Sequence, residues 1–161
     1  MPESGVAERP ASEPRPAFIN ERRVVGRALA HWEALRGSRR FPSHDDVTPE
    51  SANGLGDNIF VIALLESEGE DKIVSSGDAF RDALTFNPMG RKVIEILPSA
   101  TEKGLSFCRT AAALKKPIAD VGRFTNADGK EIRYRSILLP LSDDQENINY
   151  LLGAFSFKSV T

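Results

Sequence analysis

Few residues of this 161-residue chain are of types that do chemistry, and their spacing narrows what they can do. The two histidines, His31 and His44, stand apart from each other and from the lone cysteine, Cys108. None of them has a neighbour at metal-ligand spacing, so no metal residue is assigned. A single cysteine also leaves no intrachain disulfide, a usage that suits a reducing cytosol. No G-x-S-x-G elbow and no phosphate-cradling glycine loop is present, and no catalytic residue is assigned. The carboxylates gather in turns, where solvation is the default. For acid–base work the one pair to nominate is Tyr134 with Asp120. Tyr134, Arg135 and Ser136 draw more attention, because they interrupt an apolar run and a buried polar group needs a partner. For Arg135 the expected partner is a carboxylate at a sheet edge.

The elements that must position these groups can be read from periodicity and punctuation. Lys130–Phe157 holds two long apolar runs, KEIRYRSILLPL and INYLLGAFSF, joined by the polar stretch SDDQEN. Ile, Tyr, Leu and Phe dominate both runs, and Ser142, Asp143, Asp144 and Asn147 supply turn chemistry, so a β-hairpin is predicted. Both parities are apolar: Ile132, Tyr134, Ser136 and Leu138 suit one face, Ile137, Leu139 and Leu141 the other. A sheet apolar on both faces must be covered on both. In the second run, parity alone leaves open whether Leu151, Phe155 and Phe157 or Ile148, Tyr150, Leu152 and Ala154 face inward.

Upstream, Met1–Ala17 carries four of the ten prolines and almost no bulky apolar residue, which predicts a disordered tail. Asn20–Arg36 is a predicted helix, with Asn20 as N-cap, Ile19 and Val24 as a hydrophobic staple and Gly37 past its end. Ser43 with Asp46 has capping-box spacing, and Thr48–Pro49 is a second helix-start signal. Asn58–Leu65 is a buried strand, Ser67–Asp71 a turn, and Lys72–Ser76 a shorter strand. Short helices follow from Asp78 to about Leu84 and from Arg91 to Ile96. Ser99–Lys116 is a longer helix, with Ser99 and Glu102 at capping-box spacing, Leu105, Cys108, Ala111 and Ala112 on one side, and Pro117 as its stop. Ile118–Thr125 is a strand and Asn126–Gly129 a tight turn. The order is helix, two strands, short helices, a longer helix and three strands, an α+β arrangement with an antiparallel sheet.

Composition sets outer bounds. Net charge is −2 and the isoelectric point about 5.8, which argues against a nucleic-acid binder by overall charge. No apolar stretch reaches the roughly 20 residues of a membrane helix, and no signal-peptide pattern opens the chain, so no membrane partner and a cytoplasmic location are expected. Charge is uneven: Asn20–Arg40 has six arginines against Glu21 and Glu33, whereas Ser43–Asp71 has eight acids and no base.

Three stretches carry a family resemblance. WEALRGSRRFPSHDDVTPES (Trp32–Ser51) resembles the opening of small stand-alone bacterial PAS proteins. GDAFRDALTFNPMGRKVIEILP (Gly77–Pro98) is similar to their central helical part, and RSILLPLSDDQENINYLLGAF (Arg135–Phe155) to their closing hairpin. Together they span most of residues 20–157. The resemblance implies a five-stranded antiparallel sheet of order 2-1-5-4-3. Short helices and one longer helix lie on one face, and an N-terminal helix lies outside the core. Residues 1–17 would then be a tail, 18–57 the N-terminal helix and short turns, and 58–158 the PAS core. It further implies a non-enzymatic sensor or interaction module of bacterial signalling, binding a small ligand or a signalling protein and acting through dimerisation. Cys108, Phe124, Tyr134, Ser136 and Tyr150 are the residues it offers for lining a ligand site. The cofactor stays unknown, with haem and flavin disfavoured. Haem-binding PAS domains take a histidine from the longer helix or its neighbourhood, and Ser99–Lys116 has none. Flavin photosensors place a reactive cysteine before that helix, and Asn87–Lys92 has none. A second reading is a small-molecule carrier or enzyme on a cone-like α+β fold of ketosteroid-isomerase type, with Tyr134 and Asp120 at its floor.

The N-terminal helix bears an apolar stripe that includes Val25, Leu29, Trp32 and Leu35. One short helix is not expected to cover a five-stranded sheet, so an apolar patch would be left bare in a monomer. These residues are therefore expected to make a homodimer by two-fold pairing of helix and sheet face.

Overall fold

The computed structural model describes residues 23–48, 54–96 and 101–160, and the side chains of all of these except 68 and 101–107. The expected tail, the Asn20 cap with its Ile19 staple, the Thr48–Pro49 helix start and the Ser99–Glu102 capping box fall wholly or in part outside them. Five strands, β1 (Ile59–Ala63), β2 (Lys72–Ser76), β3 (Ile118–Thr125), β4 (Glu131–Leu141) and β5 (Tyr150–Val160), form one sheet. Its order is β2-β1-β5-β4-β3 with every neighbouring pair antiparallel, as the resemblance implied. Helices α2 (Asp78–Leu84), α3 (Val93–Ile96) and α4 (Thr101–Leu114) lie between β2 and β3 in sequence, and α1 (Val24–Arg36) precedes the sheet.

The β4–β5 hairpin is the centre of the sheet, running in unbroken register from Leu141 opposite Tyr150 to Glu131 opposite Val160. Its connection holds because side chains replace the missing ladder bonds. The fully buried Ser142 hydroxyl donates to the Asn147 carbonyl at 2.7 Å. Asp144 accepts the backbone N–H groups of Glu146 and Asn147, and these bonds hold its carboxyl well below the usual range.

Register settles the parity left open by the sequence. Leu151 and Phe155 face inward with Phe60, Ile62, Ile132 and Leu138, under Phe80, Leu84, Ile96, Cys108 and Ala111 from the helices. Val61, Ile137, Leu139, Leu141, Leu152 and Ala154 form a second apolar cluster on the outer face, against Ala28 and Trp32 of α1. The two edges of the sheet differ. Backbone bonds from Ile73 N–H to Arg91 O (3.0 Å) and from Gly90 N–H to Ile73 O (2.8 Å) cover the first part of β2. Among the described residues β3 pairs only with β4.

The apolar patch expected to stay bare is not bare. Helix α1 lies on the chain's own sheet, where Trp32 is 4% exposed and its Nε1–H donates to the Pro140 carbonyl at 2.8 Å. Val25 and Leu29 are half-buried against the same cluster, and Leu35 is half-buried on the helix. One helix suffices because the apolar part of the outer face is only half of it. Beyond Ile137 and Ala154 the outward residues are mostly polar or charged, with Val121 exposed among them.

Candidate functional site

The polar groups of the inner face meet across β3 and β4. Asp120 stands opposite Ser136 in register, and Gly122 opposite Tyr134. Gly122 has no side chain, so the Tyr134 ring folds over it; a Cβ there would lie 2.7 Å from the phenolic oxygen. That fold-over carries the hydroxyl to Asp120, to which it donates at 3.2 Å. Burial, and then the Asp120 carboxylate, push the Tyr134 phenol up to about 12. Ser136 is 8% exposed, and among the described residues its hydroxyl has no side-chain partner. A buried hydroxyl without a partner costs free energy, so this one marks a place where a ligand group has something to gain.

Aromatic rings flank Tyr134 of this trio on both sides. Phe60 stacks on Phe80 with centroids 4.6 Å apart, Phe80 meets Phe155 edge-on at 5.1 Å, Phe155 stacks on Tyr134 at 5.6 Å, and Tyr134 lies 5.9 Å from Phe124. Gly153, opposite Phe60 in register, leaves the room for that ring, which a Cβ would strike. The ring chain thus crosses β1, β5, β4 and β3, with Phe80 contributed by α2.

Of the five nominated ligand-site residues, Phe124, Tyr134 and Ser136 lie on the inner face of the sheet, and Cys108 is buried in the same core on α4. Tyr150 is elsewhere. It has the outward parity, and its ring stacks on His44 at 3.9 Å with the planes 9° apart. Arg135 is exposed on the outer face and, among the described residues, has no carboxylate partner. Sequence reasoning missed the ring chain. The signal was available in Gly122 and Gly153, since glycine inside a strand marks the close approach of another group.

It also missed Asp71, placed among solvated turn acids. Asp71 is 0% exposed. Its Oδ2 accepts from Arg109 Nε at 2.9 Å, and its Oδ1 from Arg109 Nη2 at 2.5 Å and from the Leu65 backbone N–H at 2.8 Å. Arg109 Nη2 also donates to the Leu65 carbonyl at 2.7 Å. This fork fastens α4 to the β1–β2 turn.

Cys108 lies beside this pair. Burial, reinforced by the negative charge of Asp71, pushes its thiol up to about 12, with Arg109 pulling the other way. The thiolate is the reactive form, so the native protein should resist alkylation by iodoacetamide at about pH 8 and label fully in urea. Mass spectrometry of the two samples checks this, and rapid native labelling would contradict the burial.

Among the described residues no group of three or more His, Cys, Asp or Glu is placed to hold a metal ion, and no helix is long and apolar enough to cross a membrane. No known family model and no curated protein matches the chain significantly. Solved structures do match. The PAS domain of a protein from Colwellia psychrerythraea is similar at 18% identity over 70% of this chain and 95% of its own, with a TM-score of 0.54. The LOV protein of Rhodobacter sphaeroides is similar at 13% identity over 83% of this chain and 67% of its own, with a TM-score of 0.51. The LOV domain of the blue-light-activated histidine kinase EL346 from Erythrobacter litoralis is similar at 16% identity over 66% and 99%, also at 0.51. At such identities the likeness speaks to architecture, and with the sheet order and the helices between β2 and β3 it shows that this chain has the PAS-domain fold.

Proposed function

We propose that this protein is a cytoplasmic sensor or interaction module of signalling. In this reading a small polar ligand is taken up at the inner face of the sheet, and the result passes to a partner protein. The observation that carries it is the buried Ser136 hydroxyl, unpartnered among the described residues, beside the Tyr134–Asp120 bond. The three groups offer a donor, an acceptor and a negative charge against an aromatic wall, which suits a compact ligand carrying hydroxyl or amine groups.

Flavin, to which the LOV neighbours point, fits these residues poorly. The rings from Phe60 to Phe124 already pack against one another along the inner face of the sheet and leave a flat ring system little to stack on. Cys108 sits in the core with its thiol protonated. The reading assigns no catalysis. The Tyr134–Asp120 pair nominated for a cone-like enzyme does form, but on a PAS sheet, and a phenol at about 12 is a poor proton donor near neutrality. Dimerisation through Val25, Leu29, Trp32 and Leu35 takes the form of an exchange, in which α1 leaves its own sheet and makes the same contacts on a second copy.

Native mass spectrometry of the full chain as purified reports ligand and stoichiometry together. The expected result is a small retained mass that is lost in Ser136→Ala and Tyr134→Phe, with no flavin or haem band in the absorption spectrum. Retention of the same mass by both variants, or a bare chain that no metabolite mixture stabilises against heat, would sink the ligand reading. A 17.6 kDa species at all concentrations would sink the exchanged dimer.

A further inference from the structure

The half of the outer sheet face that α1 leaves uncovered is cationic. Lys158, Arg133 and Arg123 stand side by side on β5, β4 and β3, each in register with the next. One step along the strands, Arg135 lies between Ser156 and Val121. All four cations are exposed, and Val121 is 63% exposed, the most exposed of the large hydrophobic residues among those described. Glu131 pairs with Arg123 at 2.8 Å; among the described residues Arg133, Arg135 and Lys158 have no acidic partner. Like charges directly opposite one another across strands destabilise a sheet, so this row is a standing cost to the isolated chain.

We infer that this strip is a docking surface for an acidic, partly apolar segment of another protein. Three occupants compete. A second copy presenting the same face would set four cations against four. The chain's own residues 1–22 offer four glutamates against three arginines, close to neutral. A nucleic acid would satisfy the charges but leave Val121 and Ala119 without a contact they can use, and the chain as a whole is acidic. An acidic segment with apolar residues between its carboxylates satisfies both parts of the strip.

The test uses the full chain and a fluorescein-labelled peptide of Glu-Glu-Leu repeats, read by fluorescence anisotropy. A Gln-Gln-Leu peptide and a single-stranded oligonucleotide of equal length are the comparisons. The Glu peptide is expected to bind at about 0.05 M salt and to weaken about tenfold by about 0.3 M, while the Gln peptide does not bind. Arg133→Glu with Arg135→Glu should lose at least about tenfold in affinity, as should the milder pair Arg133→Gln with Arg135→Gln. Lys115→Glu with Lys116→Glu, an equal charge change at the exposed end of α4, should bind as wild type. Circular dichroism confirms that each variant folds. Failure of the wild type to bind the Glu peptide overturns the inference. So does binding indifferent to the arginine pairs, or tighter binding of the oligonucleotide than of the peptide.

Discussion

Leu138→Asp is expected to prevent folding, while Val121→Asp is expected to fold and melt close to wild type. Both replace an apolar side chain of the sheet by a carboxylate, but the sites differ in solvent. Leu138 is 4% exposed on the inner face of β4, in the core that Phe155, Leu151 and the helices share. A carboxylate there must be buried unpaired or protonated, at several kcal/mol either way, on top of the lost apolar contact. That approaches the whole stability of a domain, about 5–15 kcal/mol. Val121 points to water on the outer face, between exposed arginines, and an acid there meets opposite charge. Circular dichroism melts of both variants decide the matter. A cooperative melt of Leu138→Asp near the wild-type temperature would refute the placement of β4.

Asp71→Ala is expected to lower stability by about 3 kcal/mol, at the low end of what breaking a buried ion pair costs, because Arg109 retains some contact with water. The loss has two parts. The Leu65 N–H and the Arg109 guanidinium both lose their acceptor, and α4 loses its fastening to the β1–β2 turn. Removing Arg109 as well takes away the uncompensated charge, so Arg109→Met combined with Asp71→Ala should be less destabilised than the two single changes summed. Urea titrations of the four proteins measure the coupling. Additivity to within about 0.5 kcal/mol would show that the fork contributes nothing as a unit.

Where structure follows from neighbours in sequence, the chain announces it. Lys72–Ser76 and Ile118–Thr125 are strands to the residue, and the Asn126–Gly129 turn forms where expected, with Gly129 at φ +83° and Asn126 bonding ahead to Asp128 and Lys130. Asp78–Leu84 is a helix, and Ser43 with Asp46 closes a capping box. What could not be read depends on partners far along the chain. Asp71 looks like any turn acid until Arg109, 38 residues on, is brought beside it. The inward parity of β5 is fixed by register with β1 and β4, not by its own alternation. The apolar stripe that holds Trp32 was legible, but its place on the chain's own sheet depends on how much of that face is apolar. The change from apolar to cationic comes at Ile137 on β4 and Ala154 on β5, and it is visible only when the strands are aligned.

The unequal edges of the sheet limit how the protein can misassemble. Sheets grow into fibres when both edges accept a strand, since each addition then exposes a fresh template. Here Gly90, Arg91 and the Lys72–Lys92 bridge occupy the β2 side. Among the described residues β3 is the open edge, so pairing through it consumes that edge of both molecules, and each then presents its partly covered β2 side. The cover over Lys72 and Ile73 then opposes growth beyond two copies, so in the folded state the backbone itself works against amyloid extension.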